Sequence, residues 1–216
     1  MVTNQNVDAA IRTLKRLIRQ CQEPVGGHYK DDPFTTLIGC LLGLRTQDAT
    51  THGACRRLFR LARTPQTMQK LPTPIIERAI YPVGFYRTKA RCVKETCRTL
   101  IERYGGRVPD DLDELLSING VGRKTANLVI TLAFRKPGIC VDTHVHRITN
   151  RWGYVATKTP EETEFALRKQ LPTRHWRILN DLLVTFGQNL CHPTSPWCSR
   201  CPLTSVCARI GVTRSR

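Results

Sequence analysis

Leu115–Arg147 reads LLSINGVGRKTANLVITLAFRKPGICVDTHVHR. Helical patterns over 111–117 and 123–134 flank Ile118-Asn119-Gly120-Val121-Gly122, a linker so short that it predicts a tight hairpin. Gly120 and Gly122 let the backbone turn sharply and let another surface approach its amides. The uncompensated N–H groups that open the second helix form an anion site, with Arg123 and Lys124 adding charge beside it. A backbone phosphate of a nucleic acid suits such a site. A lone G-x-G would signify only a turn between packed helices, but here Lys124 follows the second glycine by two residues and Asp142 stands 18 positions further on.

Working outward, the chain has 216 residues, 40% of them apolar, enough to bury a real core. No apolar run of membrane-spanning length occurs, and the amino terminus lacks the features of a secretory signal, so a cytoplasmic, nucleoid-associated protein is expected, without membrane partners and monomeric. Lys and Arg number 34 against 17 acidic residues, a net charge of +17. That imbalance points to a polyanion, nucleic acid ahead of membrane since no lipid-anchor motif is present, although many basic proteins simply carry solvated basic faces.

The pattern along the chain is helical throughout. Val7, Ile11, Leu14 and Ile18 form one stripe of a first helix. The stretch 23–27 breaks the pattern and marks a crossing between lobes. Pro33 opens a densely apolar helix, and Asp48 reads as the N-cap of the next, running to about Arg63. Short helices separated by Pro65, Pro72 and Pro74 follow, with Thr73 as a cap. A loop with Phe85 and Tyr86 leads to a long helix ending at Gly105-Gly106. Further helices are expected after Asp142, over 160–171 and over 174–187. No strand-length alternation appears, so the fold class is all-α.

Ten cysteines are present. Cys21, Cys40, Cys55, Cys92, Cys97 and Cys140 are scattered beside apolar residues and read as small buried hydrophobes. Cys191, Cys198, Cys201 and Cys207 instead form C-x6-C-x2-C-x5-C among prolines. Four thiolates in so short a loop can close around a metal centre. Structural zinc loops bring two close pairs together, whereas here one close pair has two outlying partners. A [4Fe-4S] cluster suits that uneven spacing better, while zinc and unliganded thiols stay open on spacing alone.

Lys124 beside a hairpin is ordinarily a solvated charge or a phosphate contact. Its amine could also attack a sugar C1′ if desolvation or neighbouring cations such as Arg123 activate it. Asp142 ordinarily caps the helix that follows it. His144 and Arg147 lie on that helix, readable equally as capping and surface residues or as phosphate contacts.

Gly120–Asn127 (GVGRKTAN) and Val141–His144 (VDTH), together with the cysteine spacing, resemble the helix-hairpin-helix DNA glycosylases, most closely the endonuclease III family. The resemblance covers nearly the whole chain. It implies a six-helix barrel over 26–136 containing the helix-hairpin-helix at about 111–134. Residues 1–25 and 137–216 would form a discontinuous second domain with a [4Fe-4S] cluster loop at 191–207. It implies a bifunctional DNA glycosylase and AP lyase of base excision repair acting on oxidised pyrimidines in duplex DNA. Lys124 would be the Schiff-base nucleophile, Asp142 the assisting carboxylate and Cys191, Cys198, Cys201 and Cys207 the cluster ligands. DNA contacts would come from Gly120, Val121, Gly122, Arg123, Thr125, His144 and Arg147 and from two loops that fill the gap left by a flipped nucleotide. In the first, Leu44-Arg45-Thr46-Gln47-Asp48 places Arg45 at the family's usual Gln, with Gln47 following; in the second, Phe85 stands at the apolar wedge. Asn119 replaces the family's hairpin Pro. The rival readings are a mismatch-specific thymine or adenine glycosylase of the same superfamily, the adenine branch lacking the catalytic Lys, and a non-catalytic DNA-binding module.

Overall fold

In the computed structural model, which describes residues 1–19, 21 and 32–216, every regular element is helical. Two units divide the chain, residues 1–24 with 139–216 and residues 25–138. The break read at 23–27 lies outside the described residues.

The contiguous unit is organised on α2 (Pro33–Gly43), whose high apolar content leaves it covered on most sides. Phe34, Leu37, Ile38, Leu41 and Leu42 are all buried. Asp32 fixes its start by accepting from the Thr35 N–H at 2.8 Å, with Pro33 in the first turn. Around it follow α3 (Asp48–Leu61), α4 (Pro65–Lys70), α5 (Thr73–Ile80), α6 (Tyr86–Tyr104), α7 (Leu112–Leu116) and α8 (Arg123–Leu132). A single apolar core joins their inward faces.

Two N-caps differ from the sequence expectation. α3 begins at Asp48 itself with Gln47 as N-cap, because the Gln47 carbonyl already accepts from the Thr51 N–H at 3.0 Å. Thr73 likewise lies inside α5, and Pro72 holds the cap position, its carbonyl taking the Ile75 and Ile76 amides. Proline there fixes φ and needs no donor.

Cations from neighbouring helices close three helix ends. Arg57 of α3 donates Nε to Ala79 O at 2.8 Å and Nη2 to Tyr81 O, at the end of α5. Lys94 of α6 donates to Gln69 O and, at 2.9 Å, to Leu71 O, closing α4. Lys89 of α6 does the same for α2. Carbonyls at helix ends lack intrahelical donors and carry partial negative charge, so a charged donor satisfies both needs.

The discontinuous unit contains α1 (Val7–Ile18), α9 (Thr143–Arg151), α10 (Pro160–Gln170) and α11 (Trp176–Asn189). Val7, Ile11 and Leu14 of α1 share a core with Val145 and Ile148 of α9 and with Leu179, Leu183 and Phe186 of α11. At one end of α1, Asp8 accepts from Arg174 Nη2 at 2.5 Å and pairs with His175 Nε2. Of the scattered cysteines, Cys55, Cys97 and Cys140 are buried, while Cys21, Cys40 and Cys92 are only half-buried.

Candidate active site and nucleic-acid interface

The hairpin forms between α7 and α8. Asp111 caps α7 through Oδ1, taking the Asp113 and Glu114 amides at 2.9 and 3.1 Å, and the Val121 N–H turns back to Ile118 O at 3.0 Å. Gly120 adopts φ +84, and a Cβ there would lie 2.8 Å from Cys92 Sγ on α6, so the turn admits no side chain. Gly122 is different. Its φ is −89, accessible to any residue, and among the described residues nothing lies within 4 Å of where its Cβ would be. The open space in front of it is available to a ligand. Asn119, at the family's Pro position, donates to Glu95 Oε2 at 3.4 Å and so ties the turn to α6 by another route.

α8 starts at Arg123 with Gly122 as N-cap and no side chain capping its first amides. Lys124, its second residue, is exposed. Its charge acts on Cys40 of α2, whose thiol burial pushes up to about 12 and Lys124 draws the other way. Val121 and Thr125 are 6% and 2% exposed, so their side chains belong to the core, and only their backbone can meet a ligand. The helical period decides this: Thr125, Ala126 and Val129 share the inward face of α8.

Asp142, in the other unit, is the N-cap of α9, as its sequence position predicts. Both cap bonds, from His144 N at 2.9 Å and Val145 N at 2.8 Å, end on Oδ1. Oδ2 stands outside the cap. His144 Nδ1 lies 3.2 Å from Arg147 Nη2. The Arg147 guanidinium is half-buried and donates from Nη2 to Cys191 O at 2.8 Å. Burial lowers its pKa. One turn on, Arg151 is 7% exposed and donates to His192 O at 2.6 Å and Pro193 O at 2.5 Å. Spacing in the sequence singles out neither arginine for this task, because the loop they hold lies some 40 residues away.

Cys191, Cys198, Cys201 and Cys207 line one cavity, with Trp152, Phe186 and Leu190 on its walls. Burial pushes the Cys201 thiol up to about 11, and the proximity of Cys191, Cys207 and Cys198 pushes the same way. Cys207 is raised by burial too. Among the described residues no three His, Cys, Asp or Glu side chains converge as a single-ion site requires. Arg200 and Arg216 both stack on Trp197, each guanidinium carbon 4.6 Å from a ring centroid of the indole.

The two loops expected at a flipped nucleotide are adjacent within the contiguous unit. Arg45 and Phe85 both have left-handed backbones, φ +53 and +58, and exposed side chains, Phe85 at 67%. Gly84 lets them approach: a Cβ there would be 3.1 Å from Arg45 O. Gln47 is exposed at the cap of α3. Lys89, which the sequence reading missed, lies beneath both loops, and burial lowers its amine to about 8.

A helix-hairpin-helix carried on an all-helical scaffold, with a four-thiol loop in the second unit, defines a class of base excision DNA repair protein. Residues 38–173 match the HhH-GPD superfamily of base excision DNA repair proteins, and the chain belongs to it. Within that superfamily it stands with the endonuclease III proteins, DNA glycosylases with AP lyase activity. It is 49% identical over 180 residues to endonuclease III of Thermotoga maritima, covering 83% of this chain and 84% of that one. The structure of a non-covalent endonuclease III–DNA complex superposes with a TM-score of 0.86 at 35% identity, covering 97% of each chain. A thermostable thymine-DNA glycosylase superposes at 0.83 with 26% identity, covering 95% of this chain and 97% of that one. No helix among the described residues is long and apolar enough to cross a membrane.

Proposed function

We propose that this chain excises oxidised pyrimidines from duplex DNA and then cleaves the strand 3′ to the lesion. The observation that carries the reading is Lys124, exposed in the first turn of an uncapped helix behind the open face of Gly122. Backbone amides there suit a phosphate as hydrogen-bond donors, and an amine beside them in the first turn is a natural nucleophile for the adjoining sugar. A related endonuclease III has been trapped covalently on DNA; its chain is 35% identical to this one.

In the proposed reaction, Lys124 Nζ attacks C1′ and the bond from C1′ to the base breaks, the departing base taking the electron pair and, by way of Asp142, the proton that the amine loses. Asp142 takes the proton lost by the attacking amine and offsets positive charge at the sugar; its Oδ2 is the atom available for this. Opening of the sugar ring gives an imine to Lys124. Loss of a C2′ proton then expels the 3′ phosphate by β-elimination. DNA shields the amine from water only when bound, since its own unit leaves it exposed.

Gly120, Gly122 and Arg123 hold the backbone, with Val121 and Thr125 contributing only main-chain atoms. Phe85 wedges the stack, and Arg45, with Gln47 nearby, fills the vacancy and reads the orphaned base. His144 is a further contact. Arg147 is another, and its guanidinium also braces the cysteine loop. Cys191, Cys198, Cys201 and Cys207 hold a [4Fe-4S] cluster: an all-thiol donor set around one cavity fits that centre. When bound, the cluster cross-links a loop that otherwise has little regular structure.

The test is a nicking assay on duplexes carrying thymine glycol, dihydrouracil, an abasic site or a G·T mismatch. Incision of the first three with none at the mismatch is the expected result. Release of mismatched thymine without incision at oxidised pyrimidines would move the chain to the mismatch branch, and no incision anywhere would leave only a DNA-binding module.

A further inference from the structure

Arg45 and Phe85 have left-handed backbone angles that side chains other than glycine rarely adopt, so something must hold both turns. Lys89 is bonded to each. Its backbone N–H donates to Phe85 O at 3.0 Å, one turn into α6. Its side chain leaves the helix, and Nζ donates to Leu42 O at 2.7 Å, to Leu44 O at 2.5 Å and to Thr46 Oγ1 at 3.0 Å. An ammonium has three protons and no acceptor capacity, so the three bonds use all of it. Leu44 and Thr46 are the two neighbours of Arg45, fixed on either side of it. The Arg45 carbonyl is seated against Gly84, immediately before Phe85.

We propose that Lys89 is a positioning residue for recognition of the base opposite the lesion: it fixes the direction of Arg45 relative to Phe85 and takes no part in bond breaking. The inference rests on the reading that Arg45 meets the orphaned base. A positioning role has a signature that general destabilisation lacks. A loosened Arg45 turn degrades discrimination among opposite bases, whereas a merely damaged fold lowers every rate together.

Single-turnover excision of one oxidised pyrimidine opposite A, G, C and T is measured on the full chain for the parent, K89M, T46V, R45Q and the R45Q/K89M double variant. Melting temperatures are recorded alongside. K89M is expected to compress the spread between best and worst opposite base by about tenfold, the scale that one charged hydrogen bond controls. The double variant should match R45Q alone. T46V removes the Thr46 acceptor and the hydroxyl's own bond to Leu44 O at 3.3 Å while leaving both Lys89 bonds to carbonyls in place, and should compress the spread in the same direction; it decides the matter if K89M does not fold. Parental spreads in the folded variants, or a uniform fall in all four rates, overturn the inference. If R45Q itself keeps the parental preference, the Arg45 reading fails first; if R45Q alters it while K89M and T46V do not, only the role of Lys89 fails.

Discussion

Arg151 Nη1 lies 3.4 Å from the sulfur of Cys191. The same guanidinium holds the next two carbonyls of the loop, and the Arg151 carbonyl in turn accepts from Cys207 Sγ at 3.6 Å and from Ile210 N at 3.1 Å. One buried residue of α9 thus anchors both outlying cysteines. Arg151→Met should lower stability by about 2 kcal/mol, since two part-buried carbonyls lose a shared charged donor that water replaces only in part. Arg151→Lys should recover only part, because one ammonium does not reproduce a planar fork. Chemical denaturation followed by circular dichroism checks both.

Cys198→Ser or Cys201→Ser should abolish the broad visible absorption of the purified protein and reduce bound iron from about four per chain. DNA affinity should fall with it. Stoichiometric zinc and no iron in anaerobically purified parent protein would sink the cluster assignment.

Lys124→Ala should bind an abasic duplex nearly as well as the parent, because the Gly120–Gly122 turn and most of the +17 charge remain. It should yield no borohydride-trapped adduct and no nick. Binding and trapping must be compared at one salt concentration, since phosphate contacts make affinity salt-dependent. Trapping at the parental rate would assign the nucleophile to another amine.

Asp142→Asn keeps a cap oxygen, so the melting temperature should hardly move while turnover falls by about a hundredfold or more. Asp142→Ala should lose turnover and also about 1 kcal/mol of stability, as the His144 and Val145 amides lose their acceptor. Equal stability loss in both variants would mean that the cap does not rest on Oδ1.

His175 first, and then Arg174, hold the Asp8 carboxyl down at about 2, from an ordinary value near 3.8. A depressed carboxylate contributes stability that is present above its unfolded pKa and disappears as pH falls through the folded one. The parent's melting temperature should therefore drop between about pH 4 and pH 2, and Asp8→Asn should flatten that decline. Thermal scans across this range, at constant ionic strength, check it.

The sequence by itself determined the local chemistry. The all-helical class, the hairpin between two short helices, the cap at Asp142 and the four-cysteine loop are read from short-range period and spacing, because helix caps and glycine turns depend on neighbours within a few residues. The N-caps at Gln47 and Pro72 shifted by one residue, as carbonyl pairing and not side-chain identity sets them. Tertiary structure alone decided which members of a motif face outward. It buried Thr125 and left Lys124 exposed, and it turned Arg147 toward the Cys191 carbonyl. It also assigned work to residues without a motif: Lys89 bonds to carbonyls 45 and 47 positions away, and Arg151 to a loop about 40 away. Such pairs leave no periodic trace, since a charged donor meets an orphaned helix-end carbonyl only after both helices have packed.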